Sequence, residues 1–233
     1  MKIVQCWDDG VVADIRLCEI LRKYQAKASF NLNAGLHQQH RSHGWQYQHT
    51  WVERLAQNEL RQVYEGFTIA NHSLTHPDLT HLSHPELDQQ IWDNRHRLQD
   101  WFDQPVSGFA YPFGGWNEHI IHRLQVSGHI YARTTLNEPW TFPPANPFTF
   151  NPTCHFMDEQ FWDHFNSAKS TGLFYFWGHS YEMVEEQHWR QFEGKMQILS
   201  EDNSCQWADL PELFEKPAQY QDPMGQADLA LSE

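Results

Sequence analysis

His72 and His76, four positions apart in the run Asn71-His72-Ser73-Leu74-Thr75-His76-Pro77, are the residues of this chain best spaced to hold a metal ion. On one turn of helix, residues i and i+4 share a face, so both imidazoles can close on one cation. Pro77 lacks the N–H that a continuing helix needs. The spacing therefore predicts a single helical turn just after a strand over 67–70, where aromatic and β-branched residues suit extended backbone. With 16 histidines in 233 residues, a pair at this spacing arises by chance roughly once. It needs a further donor, because a hydrolytic zinc usually takes three protein ligands and one water. That directs attention to carboxylates at the ends of other strands.

A chain of this length can bury a substantial core, and one domain over 1–216 with a polar tail over 217–233 is the expected organisation. Hydrophobic residues make up 40% of it, too many for disorder, and they are too evenly spread for a membrane span. The formal charge of −14 leaves no basic stripe for phosphate backbones, so nucleic acid is not an expected partner, nor is a membrane. Nothing in the composition bears on oligomeric state. The first residues, Met1-Lys2-Ile3-Val4-Gln5-Cys6-Trp7-Asp8-Asp9, carry no secretory apolar core, and the four cysteines form no C-x-x-C pair. Both features lead to the expectation of a cytoplasmic protein with reduced thiols, Cys6 and Cys18 packing as small core residues.

The elements that must position the histidines follow a repeated beat. Residues 3–7 read as a first, centrally buried strand running into Asp8-Asp9-Gly10. Leu17, Ile20, Leu21 and Tyr24 recur at helical spacing, and a strand over 28–32 completes a parallel βαβ unit. Residues 33–50 read as a long loop whose histidines, His37, His40, His43 and His49, are expected in solvent. Trp51, Val52, Leu55, Leu60 and Val63 suggest a helix, and Ser83-x-x-Glu86 is a capping-box start for a long one through Phe102. A strand over 108–111 meets the turn Pro112-Phe113-Gly114-Gly115, Asn117 caps the next helix, and 130–133 is another strand. The proline-rich stretch 139–152 reads as a loop enclosing one short strand near 148–150. Asp158 caps a helix, 173–177 is the most apolar strand and ends at Gly178-His179, and a last long helix precedes a short strand near 204–207.

In parallel α/β architectures functional groups collect at the carboxyl ends of strands. Four polar sites here fall at such ends: Asp8-Asp9, the histidine pair, the turn 112–114, and His179. Trp7-Asp8-Asp9-Gly10, His72-Ser73-x-x-His76, Phe109-Ala110-Tyr111-Pro112-Phe113-Gly114 and the late strand ending in His179 resemble, in order and spacing, the successive motifs of the polysaccharide deacetylase family, the NodB homology domain of carbohydrate esterase family 4. The resemblance covers roughly residues 3–180. It implies a distorted (β/α) barrel of about seven parallel strands, and a metal-dependent hydrolase that removes acetyl groups from an N-acetylated sugar or oligosaccharide. Carried onto this chain, Asp9, His72 and His76 would bind one divalent ion, zinc by default. Asp8 would be the general base, His179 the general acid, and the Phe113 N–H a donor to the oxyanion.

Two departures from the family pattern stand out. Ala110 occupies the position where many members carry the arginine that pairs with the base, and Arg133, at the end of the next strand, is the replacement to look for. The Asp- and Trp-containing motif expected after that strand is also replaced, by residues 133–140, so the partner that orients His179 is open; His155 and Glu182 are the weaker choices. Trp116, Trp140, Trp177 and Tyr181 fall near the inferred cleft and suit a carbohydrate ligand as a group. Two rival functions remain at this stage: hydrolysis of a small cyclic amide or ureide, and a non-catalytic carbohydrate-binding module that keeps the barrel.

Overall fold

In the computed structural model, residues 1–136 and 142–215 are described; residues 137–141, Trp140 among them, and 216–233 lie outside them. In chain order the elements are β1 (Lys2–Asp8), α1 (Asp14–Lys23), β2 (Ser29–Leu32), β3 (Ser42–Tyr47), β4 (Thr50–Arg54), α2 (Gln57–Val63) and β5 (Thr68–Asn71). Then come α3 (His84–Asp88), α4 (Asn94–Phe102), β6 (Gly108–Ala110), α5 (Glu118–Val126), β7 (Tyr131–Arg133), β8 (Cys154–His155), α6 (Phe161–Ala168), β9 (Leu173–Gly178), α7 (Glu186–Glu201) and β10 (Gln206–Trp207). Seven strands form one parallel sheet in the order β7-β6-β5-β2-β1-β9-β8, with β10 beside the start of β1. The sheet curls into the distorted (β/α) barrel that the motif order implies. Its gap is spanned by one segment: Phe150 bridges to Arg133 on β7, and four residues later Cys154 pairs with Phe176 on β9.

Side chains alternate across each strand, and that period decides what reaches the barrel interior. Along β1, Ile3 and Trp7 pack outward under the helices with Phe30, Phe174 and Phe176, whereas Val4 and Cys6 pack inward with Tyr131, Phe150 and Tyr175. Asp8 has the inward parity of Val4 and Cys6, as Arg133 has that of Tyr131 and Trp177 that of Tyr175. The lower barrel is therefore filled by aromatic and aliphatic groups, and its carboxyl-terminal rim by polar ones. The outer layer is held mainly by apolar burial: Trp7 is fully buried, edge-on to Phe192 at 5.2 Å and tilted on Phe156 at 4.9 Å. A side chain of that size contributes about 2–3 kcal/mol when removed from water.

The central position of β1, between β2 and β9, matches the sequence expectation. So do the buried Cys6 and Cys18 and the Asn117 cap, whose Oδ1 accepts from the Ile120 N–H. Several expectations are corrected. Residues 51–63 are not one helix: Trp51 and Val52 belong to β4, and only 57–63 are helical. The expected loop 33–50 holds a 3-10 turn at Ala34–Leu36 and β3, which pairs antiparallel with β4 as a hairpin. Trp51, Val52 and Leu55 have helical spacing only by coincidence of a strand followed by a corner. His37 is buried rather than solvated, its Nδ1 2.9 Å from the Leu55 carbonyl, while His40, His43 and His49 are exposed. The expected strand at 148–150 is a 3-10 turn, Pro147–Thr149, with a bridge only at Phe150. The long helix after Ser83 is broken by a π-helical segment, Gln89–Asp93, which bears directly on the histidine loop.

Candidate active site

The histidine pair does not sit on a helical turn. Ser73 and His76 both have left-handed φ, at 65° and 58°, so the chain from 72 to 76 coils back on itself and brings the two rings together, centroids 4.7 Å apart. Such backbone needs outside support, and the neighbouring elements supply it. Asn33 Nδ2 donates to the carbonyls of His72 and Ser73, Asn71 Oδ1 accepts from the Ser73 N–H, and Ser73 Oγ accepts from the His76 N–H. The π-helical segment contributes the rest: the Gln90 carbonyl accepts from the Leu74 N–H and the Ile91 carbonyl from Asn71 Nδ2. A π-bulge turns carbonyls away from the regular helical ladder, and such segments concentrate at functional sites.

Asp8 and Asp9 reach the same place by a different device. Asp8 ends β1 on its inner face; Asp9 has φ 82° and Gly10 φ 69°, a left-handed pair that swings the second carboxylate around toward the histidines. Gly10 has to be glycine, since a Cβ there would meet the His37 ring at 2.6 Å. Arg54 Nη1 donates to the Asp9 carbonyl at 2.7 Å and secures the turn. The donor atoms of Asp9, His72 and His76 all lie within 4.8 Å of one another. His72 Nδ1 lies 2.8 Å from the Ala110 carbonyl; that bond makes Nδ1 the protonated nitrogen and leaves the Nε2 lone pair free to ligate. Burial pushes the His72 imidazole down to about 4 and lowers His76 as well, so both are neutral at neutral pH. Two neutral imidazoles and a carboxylate fit a divalent ion of the zinc type.

Asp8 is 2% exposed. Its Oδ1 accepts from Asn31 Nδ2 at 2.7 Å and its Oδ2 from Arg133 Nη2 at 2.5 Å. Burial alone would raise its pKa, but the Arg133 guanidinium, His72, His179 and the Asn31 amide together hold it well below the ordinary carboxylate range. Arg133 is itself 1% exposed, with its guanidinium 4.6 Å from the Trp177 ring centre. His179, following β9, places Nε2 3.7 Å from Asp8 Oδ2 and 4.0 Å from Asp9 Oδ2. On its far side Nδ1 lies 3.4 Å from Glu182 Oε2, an ion-pair separation rather than a well-aligned hydrogen bond. Glu182 also accepts from the His179 N–H at 3.1 Å and pairs with His155 Nε2 at 2.9 Å. Burial lowers the His179 pKa, but Glu182, Asp8 and Asp9 outweigh it and the net shift is upward.

A cavity of about 540 Å³ opens over this cluster, lined by Asp8, Asp9, His72, His76, Phe113 and His179, with Trp45, Arg54, Trp177 and Tyr181 among its walls. Phe113 is 71% exposed with φ 57°, and its N–H makes no hydrogen bond to the described residues. All the sequence-selected site residues therefore converge at the rim, Arg133 beneath the cavity rather than lining it. Trp177 and Tyr181 border the cavity; Trp116 does not, and Trp140 is outside the described residues. Sequence reading passed over Trp45, Asn31 and Arg54. The signal for Asn31 was a polar residue at an inward position of a short apolar strand, and for Arg54 a charge embedded among Trp51, Val52 and Leu55.

Comparison with known proteins decides the family. The sequence profile described as polysaccharide deacetylase matches residues 1–132, more than half of the chain. This chain belongs to the polysaccharide deacetylase family. A curated relative, the uncharacterized protein YlxY of Bacillus subtilis (strain 168), is 24% identical over 106 residues, 46% of this chain and 28% of that protein. The chain thus matches less than a third of its relative's length. Among solved structures, the Streptococcus pyogenes deacetylase PplD in complex with acetate superposes with a TM-score of 0.51 at 21% identity, covering 63% of this chain and 61% of that one. A family 4 carbohydrate esterase from Bacillus anthracis gives 0.60 at 14% identity over 91% of this chain and 81% of that one. At these identities the likeness establishes the shared NodB-like barrel, and the chemistry has to be argued from the residues of this chain.

Proposed function

We propose that this protein is a metal-dependent carbohydrate deacetylase that hydrolyses the acetamido group of an N-acetylated sugar or oligosaccharide, releasing acetate and a free amine. The observation that carries the reading is the convergence of the Asp9, His72 and His76 donors within 4.8 Å of one another, with Asp8 and His179 beside them. Asp9, His72 and His76 would hold the ion, zinc by default. Once bound, it supplies Lewis acidity, making a water more acidic and the acyl carbon more electrophilic.

Asp8 takes the proton from that water. Asn31 and Arg133 fix both of its oxygens, and Oδ2 is 3.9 Å from His72 Nε2, so the base stands next to the ligand set without joining it. The Phe113 N–H donates to the developing oxyanion. His179, whose pKa the carboxylates around it raise, delivers its Nε2 proton to the departing amine. Glu182 orients the ring from the Nδ1 side, the position an aspartate of the family pattern would take. Trp177 and Tyr181 offer flat faces to a pyranose.

The test is acetate release from N-acetylated oligosaccharides by metal-loaded protein, with metal content measured in parallel. Asp8→Asn is expected to keep the ion and lose turnover by 10³-fold or so, about 4 kcal/mol of barrier; His72→Ala is expected to lose the ion. Turnover retained by Asp8→Asn, or ring opening of a cyclic amide with no acetate from any sugar, overturns the reading.

A further inference from the structure

Arg54 and Arg133 are the two arginines buried among the described residues, at 8% and 1% exposure. Arg133 is spent on Asp8. Arg54 makes no ion pair among the described residues: the Asp9 carboxylate acts on it only from beyond ion-pairing distance, and a single N–H, on Nη1, is bonded, to the Asp9 carbonyl. A guanidinium carries five N–H donors in a planar fork. The Nε and Nη2 groups of Arg54 have no partner among the described residues, yet they are not sealed in, unlike Nε and Nη1 of Arg133, and the side chain lines the cavity that contains Asp9 and His76. Trp45 lies against the guanidinium at 5.0 Å and fixes its plane.

A cation withdrawn from water without a counter-charge in contact is costly, which is why buried charges are as a rule paired, and an anion entering the cavity would complete this one. The cost is more conspicuous in a chain whose formal charge is −14, where carboxylates are plentiful elsewhere. Holding the Asp9 carbonyl needs one neutral donor and does not account for the charge. A planar fork facing a cavity is the arrangement that binds carboxylates and phosphates through paired hydrogen bonds.

We propose that Arg54 recognises an anionic substituent, a carboxylate or a phosphate, on the sugar that this site deacetylates. The inference rests on the functional reading above for the rest of the site. Arg54 then discriminates acidic from neutral acetamido sugars, and the hairpin that carries it is the specificity element of the cleft.

The experiment uses the zinc-loaded full chain carrying Asp8→Asn, so that binding is read without turnover. N-acetylglucosamine is titrated calorimetrically against N-acetylmuramic acid, which adds one carboxylate-bearing ether, and against N-acetylglucosamine 6-phosphate, which adds a phosphate. With Arg54 present, at least one acidic sugar is expected to bind tenfold or more tightly than the neutral one, and which acid wins separates carboxylate from phosphate. Arg54→Gln keeps a donor for the Asp9 carbonyl and removes the charge; the preference should fall to within twofold, while Arg54→Lys retains part of it. Equal affinities in the presence of Arg54, or a preference that survives Arg54→Gln, overturns the proposal. So does an equal loss for acidic and neutral sugars together with reduced zinc content, which marks Arg54 as a brace for Asp9 alone. An acid preference in binding, with no acetate released from any sugar by the unsubstituted protein, leaves Arg54 standing and removes the deacetylase reading instead.

Discussion

Arg133 and Arg54 reach the same rim of the cavity from two kinds of element, and the contrast between them separates what the barrel supplies from what the hairpin supplies. Arg133 rises from the inner face of β7, enclosed by Asp8 and Trp177, so its charge is answered within the protein. Arg54 comes from β4 of the hairpin, lies over Trp45 and, among the described residues, gives its one side-chain hydrogen bond to a carbonyl. Arg133, from the barrel, therefore helps to hold Asp8 ionised, and Arg54, from the hairpin, turns unbonded N–H groups toward the cavity. On the proposed function, the chemistry would reside on strands locked by parallel neighbours and the recognition on a hairpin outside the barrel sheet, tied to it where Val11 bridges to Arg54 and the Val12 N–H donates to the Glu53 carbonyl.

Breaking the first arginine should have the largest effect. Arg133→Met leaves the Asp8 carboxylate buried without its cation, and a loss of about 3–5 kcal/mol in unfolding free energy is expected by urea titration, with turnover abolished. Glu182→Gln comes next and acts on the acid rather than the fold. Glu182 holds the His179 pKa up, so its removal should move the alkaline limb of the rate profile to lower pH and cut kcat by about tenfold with little change in KM; an unmoved limb would assign Glu182 to packing alone. The unsubstituted protein is expected to show a matching stability profile in urea titrations across pH. Asp8 and Glu182 have folded pKa values below their unfolded ones, so the stability they contribute is complete above about pH 5 and is lost as pH falls through the folded values. His179 has a raised pKa, so its contribution is full below about pH 6 and fades as pH rises through the folded value. On the hairpin, Arg54→Gln should cost only about 1 kcal/mol, the worth of one strained turn's brace and one stacked contact. Trp51→Ala, at an exposed hairpin position, should fall within about 0.5 kcal/mol. A hairpin variant as destabilising as Arg133→Met would erase the distinction between the two walls.

The barrel was legible because buried parallel strands are short apolar runs with polar residues at their carboxyl ends, and Asp8-Asp9, His72, Phe113, Arg133 and His179 all stand at such ends. The hairpin was not, because Trp51, Val52 and Leu55 satisfy a helical period as well as a strand one, and no Asn-Gly or Asp-Gly pair marks the turn at 48–49. The histidine loop was misread for a deeper reason. Four-residue spacing suits a helix, but two left-handed residues, Ser73 and His76, bring the rings together equally well, and the groups that hold them there, Asn33, Asn71 and Gln90, lie on other elements. Glu182 was within reach of sequence reasoning only as a carboxylate three residues after His179; its commitment to both His179 and His155 depends on β8, a two-residue strand too brief to leave a pattern.

The placement of β1 also bears on how the molecule assembles. Its edges are closed by β2 on one side and, on the other, by β9, whose Leu173–Gly178 pair with Lys2 through Trp7, while β10 pairs with Lys2 and Ile3. During synthesis the strand that carries Asp8 emerges well before β9, and each of its residues waits for a partner about 170 positions further along the chain. Closing so distant a pairing is slow, and until then a bare apolar edge is open to other chains. Nascent chains halted before β9 should consequently be far more prone to aggregate than those halted after it.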